Sequence, residues 1–494
     1  MSTPHVLVIG AGPAGLSAAT SLQDAGMRVT VLDAAARTGG KLGADVDAGG
    51  VRRDHGLHIF PAWYKNLRGL MARLGLSSTL VDHEQVAYVG RGDFPGGVRT
   101  MRAPTGVRAA LHNTFRGPLP WWEGMLYQYF MLDLAGQPLR RKAFLDRVSE
   151  TGLLYGRWYR SEGVAAFIEA NVLHAASVNA SEISAMSWQR VLRYWLRTPS
   201  PFFSVLAQDL QTGLIDPWVA HLVGAGVTMQ TDRRVTRLRV GAGGRLSGVD
   251  WQASTGVGGF LSADAYVLAA PVEGARALVD DEVFAAAPEL GDLNRLASEP
   301  MSGYHLQLDR KIPDLGKDFL FLMGSTYGMS LIDATPTAPT TTLSCVIGDF
   351  GPLRTLSDGL IDQLLLDEIR AYLPVPGNAI VRRYLHNNVS APLFVNGVGA
   401  WPYRPRPRTR IANLYMAGDY CRNAIDLATT EGALYSGKHT AHEALADLGY
   451  TGEKPIRPPE NPRLLYRAAW AAGAPFVTVP LAYRLFRRKL APRS

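Results

Sequence analysis

Three glycines near the start of the chain have the spacing that lets a protein backbone approach a pyrophosphate. They stand in the segment Gly10-Ala11-Gly12-Pro13-Ala14-Gly15. Gly10 permits a tight turn, Gly12 leaves room for a phosphate at a helix N-terminus, and Gly15 lets a helix pack closely on a strand. Asp33, followed by Ala34, can accept hydrogen bonds from ribose hydroxyls. Together these residues predict a dinucleotide site without specifying the dinucleotide.

A second glycine-rich segment follows Asp33 and is typical of an extended phosphate clamp. It contributes Arg37, Gly39, Gly40, Lys41 and Leu42 as candidate cofactor contacts. Backbone N–H groups and a cation here can reach the same pyrophosphate as the first segment, an arrangement that suits FAD. An ordinary glycine turn with a solvated lysine is the alternative interpretation.

An apolar, aromatic run with a candidate imidazole follows at residues 55–66. Gly56, Leu57 and His58 are candidate cofactor contacts, and His58 and Tyr64 are candidate catalytic groups. A single histidine in such a run is more often a core residue than a catalyst, so both interpretations of His58 stand at this point.

A third group of candidates lies near the end of the chain. Gly418 and Asp419 end a predicted buried strand, and a predicted helix begins with Glu431, Gly432 and Ala433. Asp419 can orient the ribityl and pyrophosphate region of a long cofactor. The positive end of the helix can face the flavin edge where charge accumulates on reduction. The alternative is a plain strand, turn and helix in which Glu431 only complements the helix dipole.

The elements that must position these residues are readable from the hydrophobic pattern. An apolar strand at 5–9, a helix at 16–25 and a strand at 28–32 frame the first glycines as a βαβ unit. A buried strand at 413–417 and a helix from about residue 430 frame the last group. Residues 108–215 have a helical pattern rich in Trp, Tyr and Phe.

Length and composition exclude several classes of protein. A chain of 494 residues that is 47% hydrophobic and 19% charged is a folded globular protein large enough for a multidomain enzyme, not a disordered chain or a small binding module. Its two cysteines, Cys345 and Cys421, are far apart and fit a reducing cytoplasm. No metal site is predicted, because neither a CxxC nor an HExxH pattern occurs.

The net charge of +8 is concentrated at the C-terminus. Seven of the 51 Lys and Arg residues follow Glu460, which leaves 44 bases against 43 acids before them. A nearly neutral body with a basic, apolar tail favours peripheral contact with an anionic membrane and not nucleic-acid binding. The uncharged run 468–483 is shorter than the ~20 residues of a spanning helix, and Pro475 and Pro480 should break it. A terminal helix packed on the body is the alternative.

The collinear motifs from residue 5 to about 445 resemble the FAD-dependent phytoene and zeta-carotene desaturases of plants and cyanobacteria, within the flavin amine oxidase superfamily. The matching stretches are residues 10–19 with Asp33 and 39–41, 56–60 with Tyr64 and Asn66, 264–272, 308–311, 414–420 and 431–438. Two departures stand out: Asp33 replaces the Glu that is common there, and Pro61 and Ala62 follow Phe60.

The resemblance implies an α/β fold with a discontinuous, Rossmann-like FAD-binding domain over residues 1–105, 215–295 and 400–450. A substrate domain of mixed β-sheet plus a helical cap then covers 106–214 and 296–399, and 451–494 form a basic amphipathic tail. In such proteins the backbone at Val235 and the turn at Ala270 approach the cofactor. Arg310 is the matching candidate for a polar catalytic group near the substrate, with a surface pair to Asp309 as the alternative.

The activity that the resemblance implies is oxidation of a hydrophobic, isoprenoid or carotenoid-like substrate, with hydride passing to flavin N5 and electrons leaving to a quinone or to O2. The expected location is cytoplasmic, with peripheral contact to the inner face of a membrane. A flavin amine oxidase is the first alternative, although residues 300–308 lack the lysine that such enzymes carry near N5. An FAD-containing polyene isomerase is the second.

Overall fold

The computed structural model describes residues 3–46, 49–138, 142–176, 178–198, 200–457 and 463–490. Its strands are β1 His5–Ile9, β2 Arg28–Leu32, β3 Ala44–Val46, β4 Arg52–Asp54, β5 Phe60–Pro61, β6 Leu80–His83, β7 Gln85–Val89, β8 Arg99–Arg102, β9 Phe203–Leu206, β10 Thr228–Gln230, β11 Arg234–Val240, β12 Leu246–Gln252, β13 Gly258–Leu261, β14 Ala265–Leu268, β15 Ser298–Glu299, β16 Ser302–Leu308, β17 Phe319–Leu322, β18 Met329–Asp333, β19 Thr342–Ile347, β20 Ile380–His386, β21 Leu393–Phe394 and β22 Leu414–Met416.

The α-helices are α1 Pro13–Asp24, α2 Lys65–Arg73, α3 Val107–Phe115, α4 Trp121–Gly136, α5 Lys142–Asp146, α6 Glu150–Tyr155, α7 Glu162–Ala176, α8 Ala185–Arg197, α9 Asp216–Gly224, α10 Val272–Ala277, α11 Asp281–Ala286, α12 Asp358–Arg370, α13 Thr430–Asp447 and α14 Arg463–Leu490. The predicted βαβ unit and the closing strand and helix are present within a few residues of their expected bounds. The helical stretch expected over 108–215 ends earlier, with α8 at Arg197, and β9 follows it.

A five-stranded parallel sheet carries the sequence motifs, in the order β10-β2-β1-β14-β22. Its central strand is covered on both faces, as its continuous apolar sequence predicts. Val6 and Val8 pack in one core cluster with residues of α1 and α13, whereas Leu7 and Ile9 pack in another with residues of β11, β12 and α10. A Cβ at Gly437 would lie 2.1 Å from the Ala14 carbonyl oxygen, so this glycine permits the close contact of α13 with α1.

A seven-stranded mixed sheet forms the second layer, in the order β20-β16-β19-β18-β17-β7-β8. Helix α12 covers one face with Ile361, Leu365 and Ile369. The other face packs against Phe167 of α7, in the helical cap built from α3 to α8. The α/β class with a mixed sheet and helical cap is therefore confirmed.

The structure corrects one expected segment boundary. Strands β7 and β8, placed by sequence in the first cofactor-binding segment, belong to the seven-stranded sheet, where β7 pairs in parallel with β17. The pairing partner lies more than 200 residues along the chain, and a local pattern of alternating residues does not encode which sheet a strand joins.

The structure also corrects the expectation that prolines break the C-terminal helix. Helix α14 continues through Pro475 and Pro480. It packs along α4, burying Val477 and placing Trp470 over Tyr129 with ring centroids 5.7 Å apart. This packing offsets a cost of about 3 kcal/mol per interior proline. Within the described ranges, no helix combines the length and apolar character needed to cross a bilayer.

Candidate active site

The predicted cofactor residues converge at one edge of the parallel sheet. Gly10 follows β1, Asp33 follows β2, Ala270 lies just beyond β14, and Gly418 lies just beyond β22. These are the carboxyl ends of adjacent parallel strands, and open α/β sheets bind their ligands at that edge. The fold thus brings together motifs that are up to 408 residues apart in the sequence, from Gly10 to Gly418.

Gly10 and Gly15 are required because other backbone atoms lie very close to them, whereas Gly12 faces open space. Gly10 has φ +109°, and a Cβ there would lie 2.7 Å from the Ala269 carbonyl oxygen. A Cβ at Gly15 would lie 1.8 Å from the Gly10 carbonyl oxygen. At Gly12 a Cβ would meet no described atom within 4 Å. Among the described residues, no side chain caps α1 either, so the helix start at Gly12 and Pro13 is open to an anionic group, while Ala14 is buried against α13.

Asp33 organises the loops around this opening. Its Oδ2 accepts a hydrogen bond from the N–H of Ala11 at 2.6 Å, and its Oδ1 accepts one from Ala35 at 2.7 Å, across Ala34. Burial raises the pKa of Asp33, although both N–H groups favour the carboxylate. The chain near Val235 lies beside it, because the N–H of Arg233 donates to the Asp33 carbonyl oxygen at 2.7 Å.

The second glycine segment lies against the first. The N–H of Gly39 donates to the Ala11 carbonyl oxygen at 2.9 Å, and a Cβ at Gly40 would lie 3.1 Å from the Gly12 Cα. Lys41 donates to the Pro392 carbonyl oxygen, and Leu42 is buried in the core. The two glycine segments are therefore neighbours in the fold, and their joint contact with a pyrophosphate stays a prediction.

Asp419 is partly buried and follows Gly418, whose N–H donates to Ser436 Oγ at 3.0 Å. Burial raises the pKa of Asp419, while Lys41 and Arg404 act in the opposite direction. Asp419 and Lys41 therefore belong to one electrostatic environment, although sequence analysis assigned them to separate motifs.

Sequence analysis missed a buried arginine that fixes this turn. Arg404 donates from Nη2 to the carbonyl oxygens of Asp419 and Cys421 at 2.8 and 2.9 Å, and from Nε to that of Tyr420 at 2.9 Å. Its Nη1 forms an ion pair with the fully buried Asp426. Arg190 of the cap pairs with the same carboxylate at 2.6 Å. No local motif signals these residues, because the partners come from three separate parts of the chain.

Glu431 has protein partners for both of its oxygens. Oε1 accepts hydrogen bonds from the backbone and side-chain amides of Asn66 at 2.9 and 2.8 Å, and Oε2 accepts one from the Leu67 N–H at 3.0 Å. Burial raises its pKa to about 7. Glu431 thus joins the start of α13 to the start of α2. Thr429 caps α13, because its Oγ1 accepts a hydrogen bond from the Gly432 N–H, and Ala433 is buried.

The segment after β4 lies between the two sheets. A Cβ at Gly303, in β16, would lie 2.8 Å from the His55 carbonyl oxygen, so this strand and the chain before Gly56 are in close contact. His58 is partly buried, and its Nδ1 lies 2.8 Å from the Gly56 carbonyl oxygen. Burial lowers the pKa of His58 and raises that of Tyr64, whose hydroxyl group interacts with Thr429 at the start of α13.

Arg310 does not join this group. It pairs with Asp309 at 2.7 Å, and both side chains are about half exposed. Arg310 lies beyond the far end of β16, and at about 3.3 Å per residue the strand separates Gly303 from Leu308 by roughly 17 Å. The structure therefore shows the surface pair that was the alternative interpretation of Arg310. Ala270, in contrast, is at the site, where its carbonyl oxygen accepts a hydrogen bond from the Tyr420 hydroxyl at 3.2 Å.

A second residue missed by sequence analysis is Asp54, at the end of β4. Its Oδ1 accepts a hydrogen bond from the Leu210 N–H at 2.9 Å, and its carbonyl oxygen contacts His305 Nε2 at 3.0 Å. Burial, with the nearby Asp209 charge, raises the pKa of Asp54 to about 7. Its position directly before the segment 55–60 was the available signal.

The raised pKa of Asp54 predicts a pH dependence of stability. The folded protein keeps the Asp54 proton up to about pH 7, whereas the unfolded chain releases it near pH 4. The contribution of this group is therefore complete below about pH 4 and is lost as pH rises towards 7, by about 1.4 kcal/mol per pH unit. Asp54→Asn keeps an oxygen acceptor for Leu210 but does not titrate. Urea unfolding across this range should show wild type losing stability relative to the variant, and parallel curves would refute the assignment.

Comparison with known proteins identifies the family. The family model for flavin containing amine oxidoreductases matches residues 13–445. The chain belongs to this family. A 15-cis-phytoene desaturase of Narcissus pseudonarcissus is 27% identical over 90% of this chain and 80% of its own length. A 15-cis-phytoene desaturase of Synechococcus elongatus is 27% identical, with 90% and 96% covered, and a probable zeta-carotene desaturase of that organism is 25% identical, with 89% and 98% covered.

Two solved structures share the fold of this chain. A putrescine oxidase variant superposes with a TM-score of 0.67 at 19% identity, over 90% of this chain and all of the other. Cyclohexylamine oxidase from Brevibacterium oxydans gives 0.68 at 17% identity, over 91% of this chain and all of the other.

The residues at the sheet edge fit a flavin nucleotide. The open side of Gly12 and the uncapped start of α1 provide room and N–H donors for phosphate oxygens. Asp33 lies next to them for a ribose, and the partly buried Asp419 lies beyond, where the charge of Lys41 acts to lower its pKa. The site therefore offers polar groups in the order that an extended nucleotide cofactor presents them.

Proposed function

We propose that this oxidoreductase binds FAD non-covalently and oxidises a hydrophobic, isoprenoid substrate of the carotenoid-precursor type. The observation that carries the proposal is the match along 90% of this chain to phytoene desaturases, together with an apolar, aromatic cluster next to the nucleotide site. FAD is favoured because Gly39 and Gly40 extend the clamp beyond the first glycines, and Asp419 lies on the far side of it.

The apolar cluster lies between the mixed sheet and the helical cap. Phe319 and Phe321 of β17 pack against each other with ring centroids 5.1 Å apart, and Phe167 of α7 joins them. Leu57 and Ile59, directly after Gly56, pack against the same cluster. A hydrocarbon bound beside this cluster would contact Leu57 and Ile59 in the segment that also borders the nucleotide site, and the apolar side chains would exclude water from the reaction.

In this scheme the residues of the protein bind and orient the substrate and accept its proton. FAD, when bound, would supply the hydride acceptor. His58 is the residue that fits a proton acceptor. Its Nδ1 faces the Gly56 carbonyl oxygen and therefore carries the hydrogen, which leaves the Nε2 lone pair available. Burial lowers its pKa, so the imidazole is neutral before the reaction. Loss of hydride from one carbon and of a proton from its neighbour to Nε2 gives the new double bond. Tyr64 stays a candidate for orienting this region.

The same geometry argues against amine oxidation. Strand β16 borders His55 and Gly56, yet residues 300–308 contain no lysine. The likeness to amine oxidases at 17–19% identity concerns the fold alone.

The proposal includes a cytoplasmic protein in peripheral contact with the inner face of a membrane, where isoprenoids dissolve and a quinone, or O2, can take the electrons. Helix α14 supports this contact. It packs on α4 and also exposes Leu465, Phe476, Val479 and Phe486 along one face. An exposed apolar row on a basic helix whose sequence contains no acids is typical of an interfacial helix.

Replacing Phe476 and Val479 by Ser should reduce membrane binding. Their side chains are 67% and 55% exposed, so the change removes apolar surface without opening the core. The vesicle-bound fraction in flotation with phosphatidylglycerol liposomes should fall about tenfold in partition constant, because roughly 1.4 kcal/mol of apolar transfer is lost. Phe284→Ser on α11, where the ring is 49% exposed, is the matched control and should bind like wild type. Equal binding by all three proteins would exclude α14 as the contact.

The experiment for the proposed activity is product analysis. Yellow, flavin-loaded protein is incubated with liposomes that contain phytoene, with either a quinone or air as the acceptor. The proposal predicts chromatographic appearance of a product with a longer conjugated chain. A product that is only a geometric isomer of the starting polyene would establish the isomerase instead.

A further inference from the structure

Two histidines and a carboxylate meet at the contact between the nucleotide-binding loops and the substrate sheet. Asp45 comes from β3, His55 follows β4, and His386 ends β20. Their ligand atoms all lie within 4.8 Å of one another. The three residues are separated by up to 341 positions in the sequence, which is why no spacing motif revealed them.

The two carboxylate oxygens of Asp45 have different partners. Arg37 donates to Oδ1 from Nε at 3.0 Å and from Nη2 at 2.5 Å. Both imidazoles instead face Oδ2, His55 through Nε2 at 3.3 Å and His386 through Nδ1 at 3.1 Å. Arg37 thus fixes the carboxylate from one side and leaves the other oxygen directed at two imidazole nitrogens, the arrangement in which ligating carboxylates are themselves held by hydrogen bonds.

The distances suit a small transition-metal cation. With bonds of about 2.0–2.1 Å to N and O, a tetrahedral Zn²⁺ separates neighbouring ligand atoms by about 3.3 Å. The two separations from Asp45 Oδ2 are 3.3 and 3.1 Å. The imidazole rings stack with centroids 4.1 Å apart and an interplanar angle of 15°, so one ring must turn out of the stack for both nitrogens to coordinate a cation in their ring planes.

We propose that Asp45, His55 and His386 form a binding site for a divalent transition-metal cation of the Zn²⁺ type. Two imidazoles and one carboxylate form a donor set that binds such cations in preference to Ca²⁺ or Mg²⁺. Three protein ligands leave the fourth coordination position for water. Arg37 Nη2, which donates to Asp45 Oδ1, also contacts His55 Nε2, so a bound cation displaces Nη2 while Arg37 Nε keeps its bond to Oδ1.

The cation would join two parts of the protein that bear on the reaction. Asp45 and His55 belong to the loops next to the glycine clamp, and His386 to the edge strand of the substrate sheet. Asn388 already spans this contact, donating to the carbonyl oxygens of His55 at 3.1 Å and Met301 at 2.7 Å. A bound metal therefore stabilises a contact that is present without it.

Zinc content tests the proposal independently of the flavin chemistry. Flavin-loaded protein is stripped with a chelator and dialysed against a small excess of ZnCl2, and metal per chain is measured by mass spectrometry. We expect one zinc per chain and a rise in Tm on loading. His55→Ala, His386→Ala and the conservative Asp45→Asn should each weaken binding by at least about tenfold. His112→Ala is the control: the His112 ring contacts the Thr100 hydroxyl at 3.1 Å, and the variant should bind zinc as wild type does.

The opposite results are equally clear. A wild-type protein that retains no zinc, or a His55→Ala/His386→Ala double variant that retains as much as wild type, overturns the proposal and leaves a cluster held by hydrogen bonds only. Flavin content is read from the absorbance of the same samples, so loss of the metal proposal and loss of the flavin proposal are distinguishable.

Discussion

A Gly12→Val variant is expected to purify as a folded but colourless protein. A Cβ at this position meets no described atom within 4 Å, so the added methyl groups do not disturb the fold. They instead fill the space at the uncapped start of α1 that a pyrophosphate needs. Flavin affinity should fall by at least about tenfold, which is about 1.4 kcal/mol.

The measurement is the flavin-to-protein absorbance ratio after purification, with circular dichroism as the test of folding. Gly69→Val is the matched control: it lies on the exposed side of α2, and a Cβ there also meets no described atom within 4 Å. The control should be yellow. A yellow Gly12→Val protein would show that the clamp is not where the cofactor binds.

An Asp426→Ala variant should lose about 3–5 kcal/mol of the free energy of unfolding, because two arginines then lie in the interior without their shared carboxylate. Arg404 and Asp426 are 2% and 0% exposed, and Arg190 is 10% exposed. Arg404 also holds the carbonyl oxygens of residues 419–421. The variant should therefore lose flavin as well as stability, and urea unfolding measures the first effect.

Asp309→Ala provides the contrast for a surface pair. Asp309 and Arg310 are 45% and 54% exposed, so the loss should be about 0–1 kcal/mol. Equal effects of the two substitutions would contradict the assignment of Asp426 as the buried centre of the network. A large loss of activity in Asp309→Ala without loss of stability would return Arg310 to the candidate catalytic residues.

How much the sequence predicts depends on how local the physical cause is. The βαβ unit was predictable because Gly10, Gly12, Gly15 and Asp33 act within one turn and its two strands. Arg404 was not, because its partners become neighbours only after β22 joins the sheet and α8 packs on it. The cap pairing of Arg190 with Asp426 is of the same kind.

The remaining differences arise from packing that outweighs local preference. Helix α14 continues through two prolines because α4 provides a surface along which it packs. Glu431, expected at the cofactor, has both oxygens occupied by Asn66 and Leu67, so its expected contact with the flavin stays a prediction. The exposure of the Arg310 side chain, which shows that Arg310 forms a surface pair, is not encoded in a motif.

The most direct test of the account is anaerobic bleaching of the bound flavin. Purified yellow protein is mixed, without oxygen, with liposomes that carry a series of carotenoid precursors and, separately, with primary amines, while the absorbance of the oxidised flavin is followed. The account predicts bleaching by a polyene precursor and none by amines. Bleaching by an amine alone would contradict it and assign the protein to the amine oxidases.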